Sequence, residues 1–207
     1  MADLVDYALT TLLDVKESLG IAAGNTAKDN LLKRKINQAT EMIEGYCGLA
    51  YNHHFVSDTF TTEEFDGSGG NQLILRMRPV TTLSSFQYRT TTVNESDWDD
   101  VESELYFLDS AAGVIDLLFT QTNNFNRYRV TYTAGHTTIP SDLSEACVTL
   151  AAYLAENSSS GTSVKRKQEG RREIEYFPSQ TGESLIEQLS LDDTLARYIQ
   201  YNVAPNV

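Results

Sequence analysis

A chain of 207 residues, 41% hydrophobic and 22% charged, is long enough to bury a core and too apolar for a disordered polymer. Its 29 acidic residues against 16 basic ones leave a formal net charge of −13, which excludes a general binder of nucleic acid or anionic membrane. Two isolated cysteines, Cys47 and Cys147, exclude a disulfide scaffold and read as small buried apolar side chains.

Met1–Asp6 has no basic stretch followed by an apolar one, so it is not a secretory signal. No run approaches the ~20 apolar residues of a membrane span. Synthesis in the cytoplasm, with no membrane partner, is the expectation.

The first predicted element is a short helix opening at Asp14, with Asp14 and Glu17 spaced as a capping box and Gly20 as its stop. A longer helix follows over 27–47, with Leu31, Leu32, Ile36, Ala39, Met42, Ile43 and Tyr46 at helical spacing. From Phe55 to Thr133 the chain turns to Thr, Tyr, Phe and Val. Strands are predicted over 58–65, 72–75, 83–90, 104–108, 114–117 and 126–133, the clearest alternation being Arg127-Tyr128-Arg129-Val130-Thr131-Tyr132. Asp66-Gly67-Ser68-Gly69-Gly70 reads as a tight hairpin, and residues 94–100 as a solvated loop anchored by Trp98.

A third helix is predicted over 141–156, capped by Ser141 with Ser144 and Glu145, and striped with Leu143, Ala146, Cys147, Leu150, Ala151 and Leu154. Residues 157–163 are rich in Ser and Gly and read as a mobile linker. Ile174, Tyr176 and Phe177 read as an added strand. A last helix is predicted over 183–201, broken or restarted at Ser190–Asp193 with Ser190 as a cap. The expected class is α+β: a helical core of about four helices interrupted by a small antiparallel β subdomain. The expected divisions are 1–54 (N-terminal helices), 55–135 (β subdomain), 136–157 (core helix) and 158–207 (mobile basic segment and last helix).

No constellation of catalytic residues emerges. His53, His54 and His136 form no HExxH or Cys/His zinc spacing, and the glycine-rich 66–70 lacks the Lys-Ser/Thr of a phosphate loop. Acidic pairs such as Asp99-Asp100 are common by chance in so acidic a chain. The expectation is a non-enzyme with no catalytic residues, metal or cofactor.

One stretch runs against the overall charge. Residues 161–172 contain Lys165, Arg166, Lys167, Arg171 and Arg172 against a single acid, Glu169. It reads as a solvated loop, a contact with an acidic neighbour, or a weak contact with nucleic-acid phosphates.

Four stretches taken in order resemble one family. They are Leu12–Ile21, Leu31–Gly48, Phe65-Asp66-Gly67 with Leu73–Val80, and Val130–Gly135 with Ile139–Ala146. Over residues 10–156 the chain resembles the head-tail connector (adaptor) proteins of long-tailed phages. That resemblance implies a ring of subunits, usually on a dodecameric portal, in the virion at the head-tail junction. Its partners would be the portal protein, a head-closure or other tail-proximal protein, further copies of itself, and double-stranded DNA passing without specific contact. It further implies portal or neighbour contacts through Lys165, Arg166, Lys167, Arg171 and Arg172 and through Leu185, Leu189 and Tyr198 of the last helix. Lateral or tail-side contacts would fall on Trp98, Asp99 and Asp66. A tail completion or terminator protein bound to the tail tube is the alternative, and a divergent metal-dependent enzyme a remote third.

Overall fold

The computed structural model describes residues 3–49, 53–56, 58–89, 98–121, 124–159, 167–169, 172–174 and 182–200. The chain is α+β, as expected, and divides into two units: a helical one of residues 1–47 and 139–199, and a β one of residues 48–138 and 200–207.

The helical unit is built on α1 (Leu12–Ser18), α2 (Asp29–Tyr46) and α3 (Ser141–Glu156). Helix α1 starts before Asp14. Thr11 is its cap: its hydroxyl accepts the Asp14 backbone N–H at 3.2 Å, and the Asp14 carboxylate accepts the Thr11 backbone N–H at 3.3 Å. The capping box is therefore Thr11–Asp14 rather than Asp14–Glu17. Helix α1 closes at Gly20 (φ +64°), with Gly20 N–H donating to Glu17 O and Ile21 N–H to Lys16 O. Lys16, almost fully buried, pairs with Asp29 at 2.6 Å and donates to the Ala23 carbonyl at 3.2 Å, which supplies the partners a buried ammonium needs.

Helices α2 and α3 face each other through Leu32, Ile36, Ala39 and Ile43 on one side and Leu143, Ala146, Cys147 and Leu150 on the other, all buried. Thr40 Oγ1 lies 3.7 Å from Cys147 Sγ, so the small residues bring the two backbones close, as their sequence implied. Helix α3 has no side-chain cap: Pro140 occupies the cap position, and neither Ser141 nor Ser144 plays the expected role. The first-turn Asp142 is engaged instead by Arg197 and Tyr198.

The β unit holds two sheets. The larger has strand order β1-β7-β3-β4, from β1 (Asp58–Gly67), β3 (Val80–Tyr88), β4 (Asp99–Asp100) and β7 (Asn124–Ala134), all antiparallel. The smaller has order β2-β6-β5, from β2 (Gln72–Ile74), β5 (Tyr106–Asp109) and β6 (Val114–Leu117). Their inner faces meet: Phe86 of β3 stacks edge-on against Tyr106 of β5 at 5.1 Å, and Leu73, Ile115, Leu117, Tyr128, Val130 and Tyr132 are buried. The Asp66–Gly70 stretch is not a hairpin, because β1 pairs with β7 while β2 pairs with β6. It carries the chain from one sheet to the other.

The β5–β6 turn is a true hairpin. Asp109 accepts the Ala111 and Ala112 backbone N–H groups at 3.1 and 3.0 Å, and Gly113 (φ +67°) donates to Asp109 O at 2.8 Å. A Cβ on Gly113 would come within 3.2 Å of Arg78 Cβ and 3.3 Å of the Met77 carbonyl. Gly113→Ala is thus expected to lose about 1–3 kcal/mol from left-handed strain and crowding. A lower urea midpoint followed through Trp98, the single tryptophan, would show it.

The last predicted helix is broken. Helix α4 (Gly182–Gln188) ends at Ser190 (φ 54°), where Ser190 N–H donates to Glu187 O and Leu191 N–H to Ile186 O. Ser190 therefore terminates a helix instead of capping the next. After it come α5 (Asp192–Leu195) and a 3-10 turn over Ala196–Tyr198. Before α4, Asn157–Ser159 form a 3-10 turn; residues 160–163 of the expected linker lie outside the described residues. The expected strand at Ile174 is β9 (Arg172–Ile174), paired with β8 (Lys167–Glu169). Tyr176 and Phe177 lie outside the described residues.

Candidate functional site

Strand β7 sets the outer face of the larger sheet. Tyr128, Val130 and Tyr132 point inward, so Arg127 and Arg129 point out. Register places Glu64 and Gln87 beside Arg129, and Asp100 beside Gln87. The Arg89 backbone N–H donates to the Arg127 carbonyl at 3.1 Å, which sets Arg89 next to Arg127. Residues 98–100 are not a solvated loop: Asp99 and Asp100 extend the sheet as β4, and Trp98 is packed between two arginines. The Arg89 guanidinium lies 4.7 Å and that of Arg129 4.1 Å from the Trp98 ring centroid. Such contacts contribute roughly 0.5–2 kcal/mol each.

Arg129 also pairs with Glu64 at 2.9 Å, and Gln87 Nε2 donates to Asp100 at 2.9 Å. The Arg127 guanidinium lies over the Tyr88 ring at 5.9 Å. Three N–H donors of this face, Trp98 Nε1, Arg127 Nε and Arg129 Nε, are buried without a hydrogen-bond partner among the described residues. Beside them opens a cavity of about 360 Å³ whose lining includes Tyr88, Asp100, Leu105, Phe119 and Arg127. Aromatic walls with two acids, Asp100 and Glu102, and one guanidinium suit the seating of a partner's side chain. Among the described residues no three His, Cys, Asp or Glu side chains converge as a metal-binding group.

The smaller sheet turns a different surface outward. Phe107 faces out beside Asp116, and Ile74 faces out beside Val114 and Asp109. The Leu118 N–H donates to Leu105 O at 2.9 Å, extending this row by one more apolar pair. Phe107 is 67% and Leu118 75% exposed, with Ile74 and Leu105 also exposed. Nothing in the sequence singled these residues out.

In the helical unit, the 3-10 turn at Ala196–Tyr198 is fastened to the start of α3. The Tyr198 hydroxyl donates to Asp142 Oδ1 at 2.6 Å, and Arg197 pairs with Asp142 Oδ2 at 2.8 Å. The Tyr198 hydrogen bond is the main reason the Asp142 carboxyl is held below the usual range. Desolvation and that same bond push Tyr198 up to about 12. Leu185 is buried and Leu189 half-buried within this unit. Burial pushes the Cys47 and Cys147 thiols up to about 12, which leaves both unreactive.

The candidate residues named from the sequence are thus spread over both units. Trp98 belongs to the arginine face, Asp99 lies on its edge strand, and Asp66 sits at the irregularity near the end of β1. Lys167 and Arg172 lie on β8 and β9, while Lys165, Arg166 and Arg171 fall outside the described residues. Arg89, Arg127, Arg129 and Phe107 were missed.

No curated protein sequence matches the chain. Solved structures share its fold, two chains among them. One is a chain from the neck of an empty gene transfer agent particle computed with C6 symmetry, 18% identical, covering 90% of this chain and 92% of that one, TM-score 0.50. The other is a chain from the virion of a native gene transfer agent particle, 18% identical with the same coverage, TM-score 0.52. The family model described as head completion protein matches residues 8–170, a span that contains the four stretches resembling connector proteins and accords with a place at the head-tail junction of a virion. The chain belongs to the head completion protein family.

Proposed function

We propose that the protein is a structural subunit of a virion neck which forms a ring under the portal, joins the DNA-filled head to the tail and surrounds the DNA passage. The observation that carries this reading is the match to the head completion family over residues 8–170. The similar chain in a particle neck computed with C6 symmetry supports a ring. A net charge of −13 suits a passage that DNA crosses without adhering.

In this reading the portal is met by the basic stretch of Lys165, Arg166, Lys167, Arg171 and Arg172, together with the helical segment on which Leu189 and Tyr198 keep partial exposure, Leu185 being buried behind them. Trp98, Asp99 and Asp66 serve lateral or tail-side contacts, the latter with a head-closure or other tail-proximal protein.

The test is to mix the purified chain with the portal from the same genome and image the particles by electron microscopy. An added ring at the tail-facing end is the expected result, and reversing the charges of Lys165, Arg166 and Lys167 is expected to weaken docking. Absence of binding, with the chain folded and the portal competent for other partners, would overturn the reading. The tail tube would then be the next partner to try.

A further inference from the structure

The two outward surfaces of the β unit belong to different sheets, whose inner faces meet through Phe86 and Tyr106. They differ in chemistry. Strands β2, β5 and β6 contain no lysine or arginine, and their outer face offers Phe107, Ile74 and Val114 with Asp109 and Asp116 among them. The outer face of the larger sheet offers Arg127, Arg129 and Trp98, backed by Arg89 and only partly offset by Glu64 and Asp100.

Each surface lacks what the other has. An apolar row of four exposed large side chains is unusual on a lone soluble domain and marks an interface. Its carboxylates, Asp116 held by Gln72 and Asp109 by the turn backbone, give the face a negative charge that guanidinium groups complement. The arginine face offers the guanidinium groups of Arg127 and Arg129 beside Tyr88 and Trp98, and an aromatic face with guanidinium groups is a favoured surface for apolar and acidic side chains together.

From this complementarity we infer that a second copy of the chain docks the Phe107–Asp116 face of its small sheet onto the Arg127–Arg129–Trp98 face of its neighbour. This rests on the ring reading above and adds which surfaces make the lateral contact. That the two patches differ matters: a contact between unlike patches is head-to-tail, propagates from copy to copy and closes when the rotation allows. A single self-complementary patch would stop at a dimer.

Site-directed cross-linking tests it. One chain carries Phe107→Cys and another Arg127→Cys; the native thiols are buried and do not compete. The two are mixed with a short bis-maleimide reagent, first concentrated alone and then bound to the matching portal. The expected product is a 107–127 link between copies, in excess over 107–107 and 127–127 links. Dominance of like-with-like links would overturn the inference, as would the absence of 107–127 links on a portal that carries the ring. If no ring forms and no link appears in either setting, the ring reading fails with it.

Charge exchange gives a second readout. Arg127→Glu and Asp116→Arg copies are each expected to self-associate on the order of tenfold more weakly, and their mixture to recover. Phe107→Ser should weaken association by on the order of tenfold or more. All three positions are at least partly exposed, so folding should survive, and circular dichroism checks that. Recovery absent from the mixture of two folded variants would count against the pairing.

Discussion

Leu150→Ala is expected to destabilise the helical unit by about 2–5 kcal/mol, as removal of a fully buried leucine does where the surroundings collapse only in part. The site has little room to collapse. Leu150 lies one turn beyond Cys147, whose sulfur already sits 3.7 Å from Thr40, and its neighbours Ala146 and Ala151 are small and buried. Shortening the leucine leaves a cavity that none of them can fill. Loss of far-ultraviolet circular dichroism in urea reports this unit, which among the described residues holds all the helices longer than one turn. Leu150→Met keeps the volume and is expected to cost less than about 1.5 kcal/mol. Equal losses for both substitutions would show that shape at this position, rather than the buried volume, governs the α2–α3 contact.

The helices were legible because their apolar stripes are long and their small residues are placed consistently. Ile36, Ala39 and Ile43 on α2, and Ala146, Cys147 and Leu150 on α3, were all assigned to the core from spacing and all are buried. The helix ends were less legible. Thr11 has the same capping chemistry as Asp14, and only the three-dimensional bonds show which residue opens α1. Ser190 has capping chemistry too, yet it adopts a positive φ and ends a helix. A local polar residue offers the same hydroxyl to either neighbour, and tertiary packing decides.

The sheets show a sharper limit. Alternation in Arg127-Tyr128-Arg129-Val130 gave the strand and its two faces directly. Around Phe107 it gave neither, because Leu105-Tyr106-Phe107-Leu108 is apolar without interruption. Such a run places no residue inside or outside. Only its pairing with Val114–Leu117 turns Tyr106 and Leu108 toward the interior and leaves Phe107 exposed. The arginine face was hidden for another reason. Arg89, Trp98 and Arg129 are separated in sequence and meet through β4, a strand two residues long that its acidic composition disguised as a loop. Sequence spacing carries no signal for a contact closed by register across three strands.

The buried acid at the centre of the β unit should couple stability to pH. Glu63 accepts the Tyr132 hydroxyl at 2.6 Å and pairs with Arg76 at 2.9 Å. Burial raises its pKa above the ordinary 4.5, and the Tyr132 hydrogen bond and the Arg76 charge each pull it part of the way back. A carboxyl whose folded pKa exceeds its unfolded one favours the folded state while protonated. Its contribution is fully present below the unfolded pKa and is lost as the pH rises through the folded pKa. Arg76→Met removes the cation and should raise the folded pKa further. Breaking a buried pair costs about 3–5 kcal/mol, and the 41% exposure of Arg76 reduces this to about 2–3 kcal/mol near neutral pH. The loss should shrink toward acid, because a protonated Glu63 no longer needs a cation. Tyr132→Phe removes a bond to the same carboxylate and is expected to cost about 1.5–3 kcal/mol at neutral pH. Urea unfolding followed by Trp98 fluorescence, for wild type and both variants across the acidic range, would measure the effect. A loss for Arg76→Met that stays constant down to the ordinary glutamate pKa would mean that the arginine stabilises the β unit by packing its aliphatic stem, and that the charge on Glu63 is tolerated without it.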